Sequence, residues 1–438
     1  MATDRPNVLL VCIDALRSDF ALGEYGSHKP FFEFFERTGT VFDTTIAAAS
    51  STTPCVASYM TGTYPPTHGV LSLRDFALSD EVTTLAERFA ADGYETSASV
   101  TGPITTDTDL DTGFDRYDYR RRDRTVYTEW FDDFERELSN ASTPFFTYLH
   151  LWEVHVHRDL PPDATPAEVE YDASVRGVTA KLDALLDAVD LDETIVAVIG
   201  DHGESVQDGT RRHRASVMVF NQLPVPFTEM RTRDIRAEVY ERYLHDRGIE
   251  FEDWYNSLRR FSGVDFPNAF HRIGHGYHVY DFLTRVPFAL AGPGIPAGRR
   301  VSDQVRQVDI FPTLLSAAGL DGPDTVAGQD LLTGAIDHRP AHVRAVGTTG
   351  DRSHWLDGVR YDGWKFVEGR DRDIRQLFDL DTDPNELHNV VTEYPAVADR
   401  LASLVDEHVA RERRRSEGTV SERAQERMTN RLEELGYL

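Results

Sequence analysis

Three short apolar runs, each breaking off at side chains able to hold a metal or move a proton, constrain this chain more than any other feature. Asn7 to Ile13 reads NVLLVCI, Phe145 to Leu151 reads FFTYLHL, and Thr194 to Ile199 reads TIVAVI. Runs of this length with little polar alternation are strands covered on both faces, as in a parallel sheet. Each delivers polar groups at its carboxyl end: Asp14 after the first, Glu153 and His155 after the second, Asp201 and His202 after the third. In open α/β sheets that edge is where ligands bind.

Between these runs the apolar spacing turns helical. Helices are predicted over Pro30 to Arg37, from Ser58 into Met60, over Val82 to Asp92 before a strand at Glu95 to Val100, and over Val175 to Val189. A further strand, Val286 to Leu290, is closed by the turn Gly292-Pro293-Gly294, and Gln307 to Ala318 reads as a helix. Alternating strand and helix predicts a layered α/β fold with a mostly parallel central sheet and right-handed crossovers. From about residue 335 the pattern changes to short alternating segments, Trp355 to Arg360 and Trp364 to Glu368, which predict a small antiparallel sheet, followed by a charged helical stretch from Pro395 to Leu438. The expected division is a catalytic unit over 1–334 and a C-terminal subdomain over 335–438. Within the first lies an insertion, 205–272, far longer than the usual connection of about 4–6 residues. It opens with Arg211, Arg212 and Arg214 and has a helical pattern at Thr232 to Leu244. It reads either as a lid over an anionic substrate or as a structural excursion with solvated charges.

The net charge of −28 comes from abundant Asp and Glu, while positive charge is carried almost wholly by Arg, with Lys only at 29, 181 and 365. That pairing resembles a salt-adapted proteome, as in haloarchaea, where a Debye length of about 3 Å in molar salt screens self-repulsion. The acidity argues against nucleic-acid or anionic-membrane partners, since either needs a basic face. Cys12 and Cys55 form neither a disulfide framework nor a metal-type spacing. Met1 to Pro6 shows no charged-then-apolar leader, and no stretch reaches the ~18 apolar residues of a membrane span, so the expected residence is cytoplasmic.

Asp14, Asp201 and His202 are hard or borderline ligands that, with a hydroxyl, can hold one divalent cation. Asp14 alone serves equally well as a helix cap. The hydroxyl-rich stretch AAASSTTPCVASYMTG, Ala47 to Gly62, leads into a helix starting near Pro54. A helix N-terminus favours an anion, and Thr52 would lie at its mouth. Metal coordination makes such a hydroxyl a usable nucleophile; without it, Ser50 to Thr53 simply cap the helix. Cys55, one residue past the proline and one helical turn from Thr52, packs readily as a small apolar group.

Six segments in order resemble the sulfatases and related hydrolases of the alkaline phosphatase superfamily: PNVLLVCIDALRSD (Pro6 to Asp19), SSTTPCVASYMTGTYPPTHGV (Ser50 to Val70), HLWEVHVH (His150 to His157), VAVIGDHGE (Val196 to Glu204), HGYHVYDFLTRVPFALAGPG (His275 to Gly294) and QLFDLDTDPNELHN (Gln376 to Asn389). The resemblance implies an alkaline phosphatase-like three-layer sandwich with a small C-terminal antiparallel sheet. It implies Asp14, Thr52, Asp201 and His202 as metal ligands, Thr52 as nucleophile, and His155 and His275 as substrate-binding and acid–base groups. The cofactor is one divalent metal, Mn, Zn or Ca. His202 in place of Asn and Ala15 in place of a frequent second Asp favour zinc or manganese over calcium. A second metal would use Glu153, His157 and His275. Two positions depart from the family: sulfatases that use formylglycine carry Cys or Ser two places before the proline and Arg two places after, where this chain has Thr52 and Val56. Thr cannot become formylglycine, and relatives with Thr there act chiefly on phosphoesters through a phosphothreonine. The expected substrate is a small-molecule or glycan-linked sulfate or phosphate ester; the alternatives are a phospho-head-group transferase and an inactive binding protein.

Overall fold

In the computed structural model the described residues are 5–25, 29–73, 76–155, 159–165, 169–206, 211–221, 247, 249, 251–263, 274–323, 325–347, 355–369 and 374–410. Among these residues twelve strands form two sheets. The large one contains β1 (Asn7–Ile13), β2 (Gly39–Ile46), β3 (Glu95–Val100), β4 (Arg116–Tyr119), β5 (Phe145–Leu151), β6 (Thr194–Gly200), β7 (Arg285–Ala291) and β8 (Arg299–Arg306). Its order is β4-β3-β5-β1-β6-β7-β2-β8, and only β7 runs against its neighbours.

The unbroken apolar runs are explained by two cores, one on each face. Leu9, Val11 and Ile13 of β1 point into one core with Leu149 and Leu151 of β5, Val196 and Val198 of β6, and the helices Pro30–Thr38, Glu129–Ser139 and Glu170–Asp187. Val8, Leu10 and Cys12 alternate into the other, with Phe146, Tyr148, Ile195, Ala197 and the helices Thr52–Thr61, Leu85–Ala91 and Ile310–Ala317. The result is a three-layer sandwich. Each large side chain buried this way contributes roughly 1.5–3 kcal/mol, so β1, β5 and β6 are fixed at the centre of the sheet. Their carboxyl ends are therefore a rigid platform.

The predicted helices need adjusted ends. The helix expected from Val82 starts at Leu85, because Thr84 and Glu87 form a reciprocal capping box. The one expected from Val175 begins at Glu170 and ends at Asp187, and Gln307–Asp309 is a 3₁₀ turn before the helix Ile310–Ala317. Strands β2 and β8 were not anticipated: GTVFDTTI and RRVSDQVR carry too many polar residues to read as buried strands, and both lie toward the sheet's edge.

The small sheet, β9 (Ala341–Ala345), β10 (Leu356–Tyr361), β11 (Trp364–Gly369) and β12 (Ile374–Asp379), is antiparallel in the order β12-β11-β10-β9. The helix Pro395–Val409 covers one face through Ala398, Leu401 and Val405. On the other, Val343 and Leu356 pack on Ile46 and Val279 of the large unit. Main-chain bonds complete the junction: Ser50 N–H to Arg344 O at 2.9 Å, and Gly347 N–H to Gly276 O at 2.7 Å. The small sheet thus buttresses the turn before Thr52 and the loop carrying His275.

Of the insertion, the helices Arg211–Asn221 and Phe251–Ser262 are described and pack on each other. The helical pattern at Thr232 to Leu244, and the continuation of the last helix beyond 410, lie outside the described residues. Among those described, no helix is long and apolar enough to cross a membrane.

Candidate active site

Parallel register places the first ligand-type residues side by side. Ile13 pairs with Gly200 of β6 and with Leu151 of β5, so Asp14 and Asp201 leave adjacent strands at the same level. The chain turns sharply after Asp14. Ala15 takes a left-handed φ of 61°, its N–H donates to Asp201 Oδ1 at 2.9 Å, and its carbonyl accepts from the Tyr171 hydroxyl at 2.7 Å. A non-glycine residue in that region is strained and needs surroundings that hold it; Asp201 and Tyr171 do so.

After β6, Asp201 Oδ1 also accepts from the His202 N–H at 2.7 Å, while the His202 Nδ1–H donates to Gly203 O at 2.8 Å. That bond assigns the tautomer and leaves Nε2 with a bare lone pair. Gly203 is required by close approach, since a Cβ there would lie 2.1 Å from Phe282 O. Around His202 Nε2 stand Thr52 Oγ1 at 3.2 Å, Asp201 Oδ2 at 3.5 Å and Asp14 Oδ1 at 3.6 Å. All four residues are fully buried, and both Asp14 oxygens and Asp201 Oδ2 have no hydrogen-bond partner.

Buried carboxylate oxygens facing each other and a ring lone pair are mutually repulsive unless a cation or a proton lies among them. Burial and then Asp201 push the Asp14 carboxyl well above its usual range, and burial pushes the His202 imidazolium down. Ligand bonds of about 2.0–2.2 Å in a tetrahedral shell imply ligand-to-ligand separations of roughly 3.3–3.6 Å, which the observed spacings match. This oxygen-and-imidazole donor set therefore fits a divalent metal ion.

Thr52 opens the fully buried helix Thr52–Thr61, with Ser51 as its extended N-cap. The turn is held by Gln307, whose amide nitrogen donates to Asp201 O at 2.8 Å and to Gly200 O at 3.3 Å, while its Oε1 accepts from Ala48 N–H at 3.1 Å. Gln307 thus ties the turn before Thr52 to the loop after β6, a role for which the sequence carried no signal beyond a helix start. Cys55 is buried with its thiol against Ala49 O, and burial raises its pKa well above the usual value, which is no setting for a thiolate nucleophile.

A second group, His155, Glu204 and His275, adjoins the first. His275 Nδ1 lies 3.0 Å from Glu204 Oε2, its Nε2 lies 3.4 Å from His155 Nε2, and its ring stacks on His202 with centroids 4.3 Å apart. Burial opposes the His275 imidazolium, but Glu204 outweighs it and the pKa is raised. Of the second-metal set expected from Glu153, His157 and His275, Glu153 is engaged elsewhere. Glu153 is committed to a fully buried pair with Arg120, at 2.6 and 3.1 Å, and to the Val126 N–H, while His157 lies outside the described residues. Glu204 occupies the place beside His275 instead. Its position directly after Asp201-His202-Gly203 could have flagged it.

The family profile described as Sulfatase matches residues 6–320, and that described as N-sulphoglucosamine sulphohydrolase, C-terminal, matches residues 271–413. Arylsulfatase K of Mus musculus is 32% identical over 154 residues, covering 31% of this chain and 28% of that protein. Arylsulfatase K of Homo sapiens is 33% identical over 141 residues, covering 29% and 26%. The chain thus matches less than a third of the length of either relative. In fold it is similar to a 2-O GAG sulfatase (TM-score 0.68, 17% identity, 96% of each chain) and to the phosphonate monoester hydrolase of Agrobacterium radiobacter (TM-score 0.67, 18% identity, 93% of this chain and 96% of that one). With a profile spanning most of its length and this fold around a cluster of metal-ligand type, the chain belongs to the sulfatase family.

Proposed function

We propose that the protein is a metal-dependent hydrolase of phosphate or sulfate esters, acting through Thr52. The observation that carries this reading is the Thr52 hydroxyl 3.2 Å from the His202 Nε2 lone pair, beside the unpartnered oxygens of Asp14 and Asp201. Asp14, Thr52, Asp201 and His202 would hold the ion, which supplies Lewis-acid polarisation and a lowered hydroxyl pKa. We assign zinc or manganese from the donor set.

Thr52 Oγ1, its proton given up to solvent, attacks phosphorus or sulfur in line, forming a Thr52 ester as the bond to the leaving alcohol oxygen breaks, and regains a proton once water has cleaved that ester. The start of the helix Thr52–Thr61 meets charge on the equatorial oxygens. His275, oriented by Glu204 and adjoining His155, donates a proton to the departing oxygen and then accepts one from the water that cleaves the ester. Because Thr at this position cannot yield formylglycine, phosphoesters are the preferred substrates, with sulfate esters second; the arylsulfatase K relatives and a phosphonate monoester hydrolase of the same fold support that chemical range. We treat residues 335–438 as a C-terminal subdomain and the acidic, Arg-biased composition as salt adaptation of a cytoplasmic protein.

The test is Thr52→Ala assayed with aryl phosphate, phosphodiester and sulfate in high salt with manganese or zinc. Turnover is expected to fall by several orders of magnitude. Equal rates for both proteins would remove the covalent mechanism.

A further inference from the structure

His150 sits on β5 with its side chain fully buried, and neither ring nitrogen has a hydrogen-bond partner. Burying an imidazole with both nitrogens unmet is unfavourable, so an unmet group in a rigid strand calls for an occupant. Its location identifies one. His150 pairs in register with Cys12 of β1, two residues before Asp14. It lies on the same face of β5 as Tyr148, whose hydroxyl meets that of Tyr59 at 2.5 Å.

The helix bearing Tyr59 begins with Thr52 at the carboxyl edge of the sheet and runs down against the strand. Two strand residues from Tyr148 toward that edge span about 6.6 Å, and four helical residues from Tyr59 back to Cys55 span about 6 Å. His150 is therefore level with the first turn of the Thr52 helix. Four more hydroxyls at this edge, those of Ser50, Ser51, Thr53 and Thr101, are also buried without partners. Burial pushes the His150 pKa down to about 4, against the pull of Asp201, so the ring is neutral with one N–H to give.

We propose that His150 is a substrate-contacting residue that donates its ring N–H to a non-bridging oxygen of the tetrahedral ester seated at the start of the Thr52 helix. This rests on the ester-hydrolase reading above and extends it: the inner wall of the site, made of His150 and the serine and threonine hydroxyls, recognises the anionic group alongside His155 and His275. A ligand with fewer acceptor oxygens would leave these donors unmet.

The experiment compares the manganese-loaded full chain with His150→Leu and His150→Gln, reading kcat and KM on an aryl phosphate, inhibition by inorganic phosphate, and thermal unfolding. Leu should lower kcat/KM by about 10²-fold, the usual loss for one donor to a reacting oxyanion, and weaken inorganic phosphate by tenfold or more. It should melt no lower than wild type, because an orphaned buried donor has been replaced by an apolar side chain. Gln, which keeps an N–H, should recover much of the kcat/KM loss. Unchanged kinetics and phosphate affinity, together with a lowered melting temperature in Leu, would overturn the proposal and make His150 a packing residue. If Thr52→Ala abolishes turnover while His150→Leu does not lower it, the proposal fails and the hydrolase reading stands. If Thr52→Ala equals wild type, that reading fails, and phosphate affinity alone decides His150.

Discussion

Replacing Asp14 by Asn tests the proposed metal centre through two stabilities of opposite sign. Asp14, Asp201 and His202 offer ligand atoms that all lie within 4.8 Å of one another. Two carboxylate charges at that separation repel by on the order of 3 kcal/mol at an effective dielectric constant of about 20. The repulsion adds to burial in raising the Asp14 pKa. A carboxyl whose folded pKa exceeds its unfolded one stabilises the metal-free protein fully below the ordinary carboxylate range, and that contribution is lost as pH rises toward the raised value. Near neutral pH, metal-free Asp14→Asn should therefore melt above metal-free wild type, by several degrees if most of the repulsion is relieved, since 1 kcal/mol shifts even a 150–250-residue domain by roughly 2–4 °C. The gap should close on acidification. Saturating manganese should invert the order: at 100 times its Kd the ion adds about 2.7 kcal/mol to wild type, while the variant lacks a charged ligand and gains little. Thermal unfolding with chelator and with manganese, from about pH 5 to about pH 8, reads both signs. A variant less stable than wild type under chelator that gains equally from manganese would refute the reasoning.

Two further substitutions separate the neighbouring carboxylates. Glu153→Gln breaks the fully buried pair with Arg120 and should destabilise the protein by roughly 3–5 kcal/mol, yet leave the metal content measured by elemental mass spectrometry unchanged; fewer ions per chain would return Glu153 to the ligands. Glu204→Gln removes the charge that raises the His275 pKa. Since a raised His pKa keeps the acid protonated to higher pH, the alkaline limb of the kcat profile should move to lower pH, and an unmoved limb would exclude His275 as the acid.

The platform was legible because its signal is local: an apolar run covered on both faces cannot be disguised, and strand polarity alone says which end carries Asp14, Asp201 and His202. The partnership among them is long-range in sequence but short-range in register, so two neighbouring strand tips sufficed to expect it. Glu153 misled for the opposite reason. At a strand tip it looks like a ligand, and only the return of β4, carrying Arg120 to its carboxylate, shows its charge to be satisfied. Gln307 and Tyr171 were invisible because their roles lie in backbone contacts, which leave no composition or spacing behind. His150 carried no visible role in the segment His150 to His157, since burial without a partner arises only in the folded chain.

The strain at Ala15 connects these layers. The left-handed turn after β1 is what swings Ala15 N–H onto Asp201 Oδ1, so that one Asp201 oxygen is consumed by backbone and the other is left facing His202 Nε2. Were that turn relaxed, both Asp201 oxygens could rotate toward Asp14 and the repulsion between the carboxylates would grow. The Tyr171 hydroxyl prevents this by donating to Ala15 O while accepting from Arg17 N–H at 2.8 Å, and Tyr171 is itself immobilised in the core beneath the sheet. Apolar burial on one face of β1 is thereby converted into the orientation of a carboxylate at its tip. Geometry that a loop alone would hold loosely is inherited from the hydrophobic core.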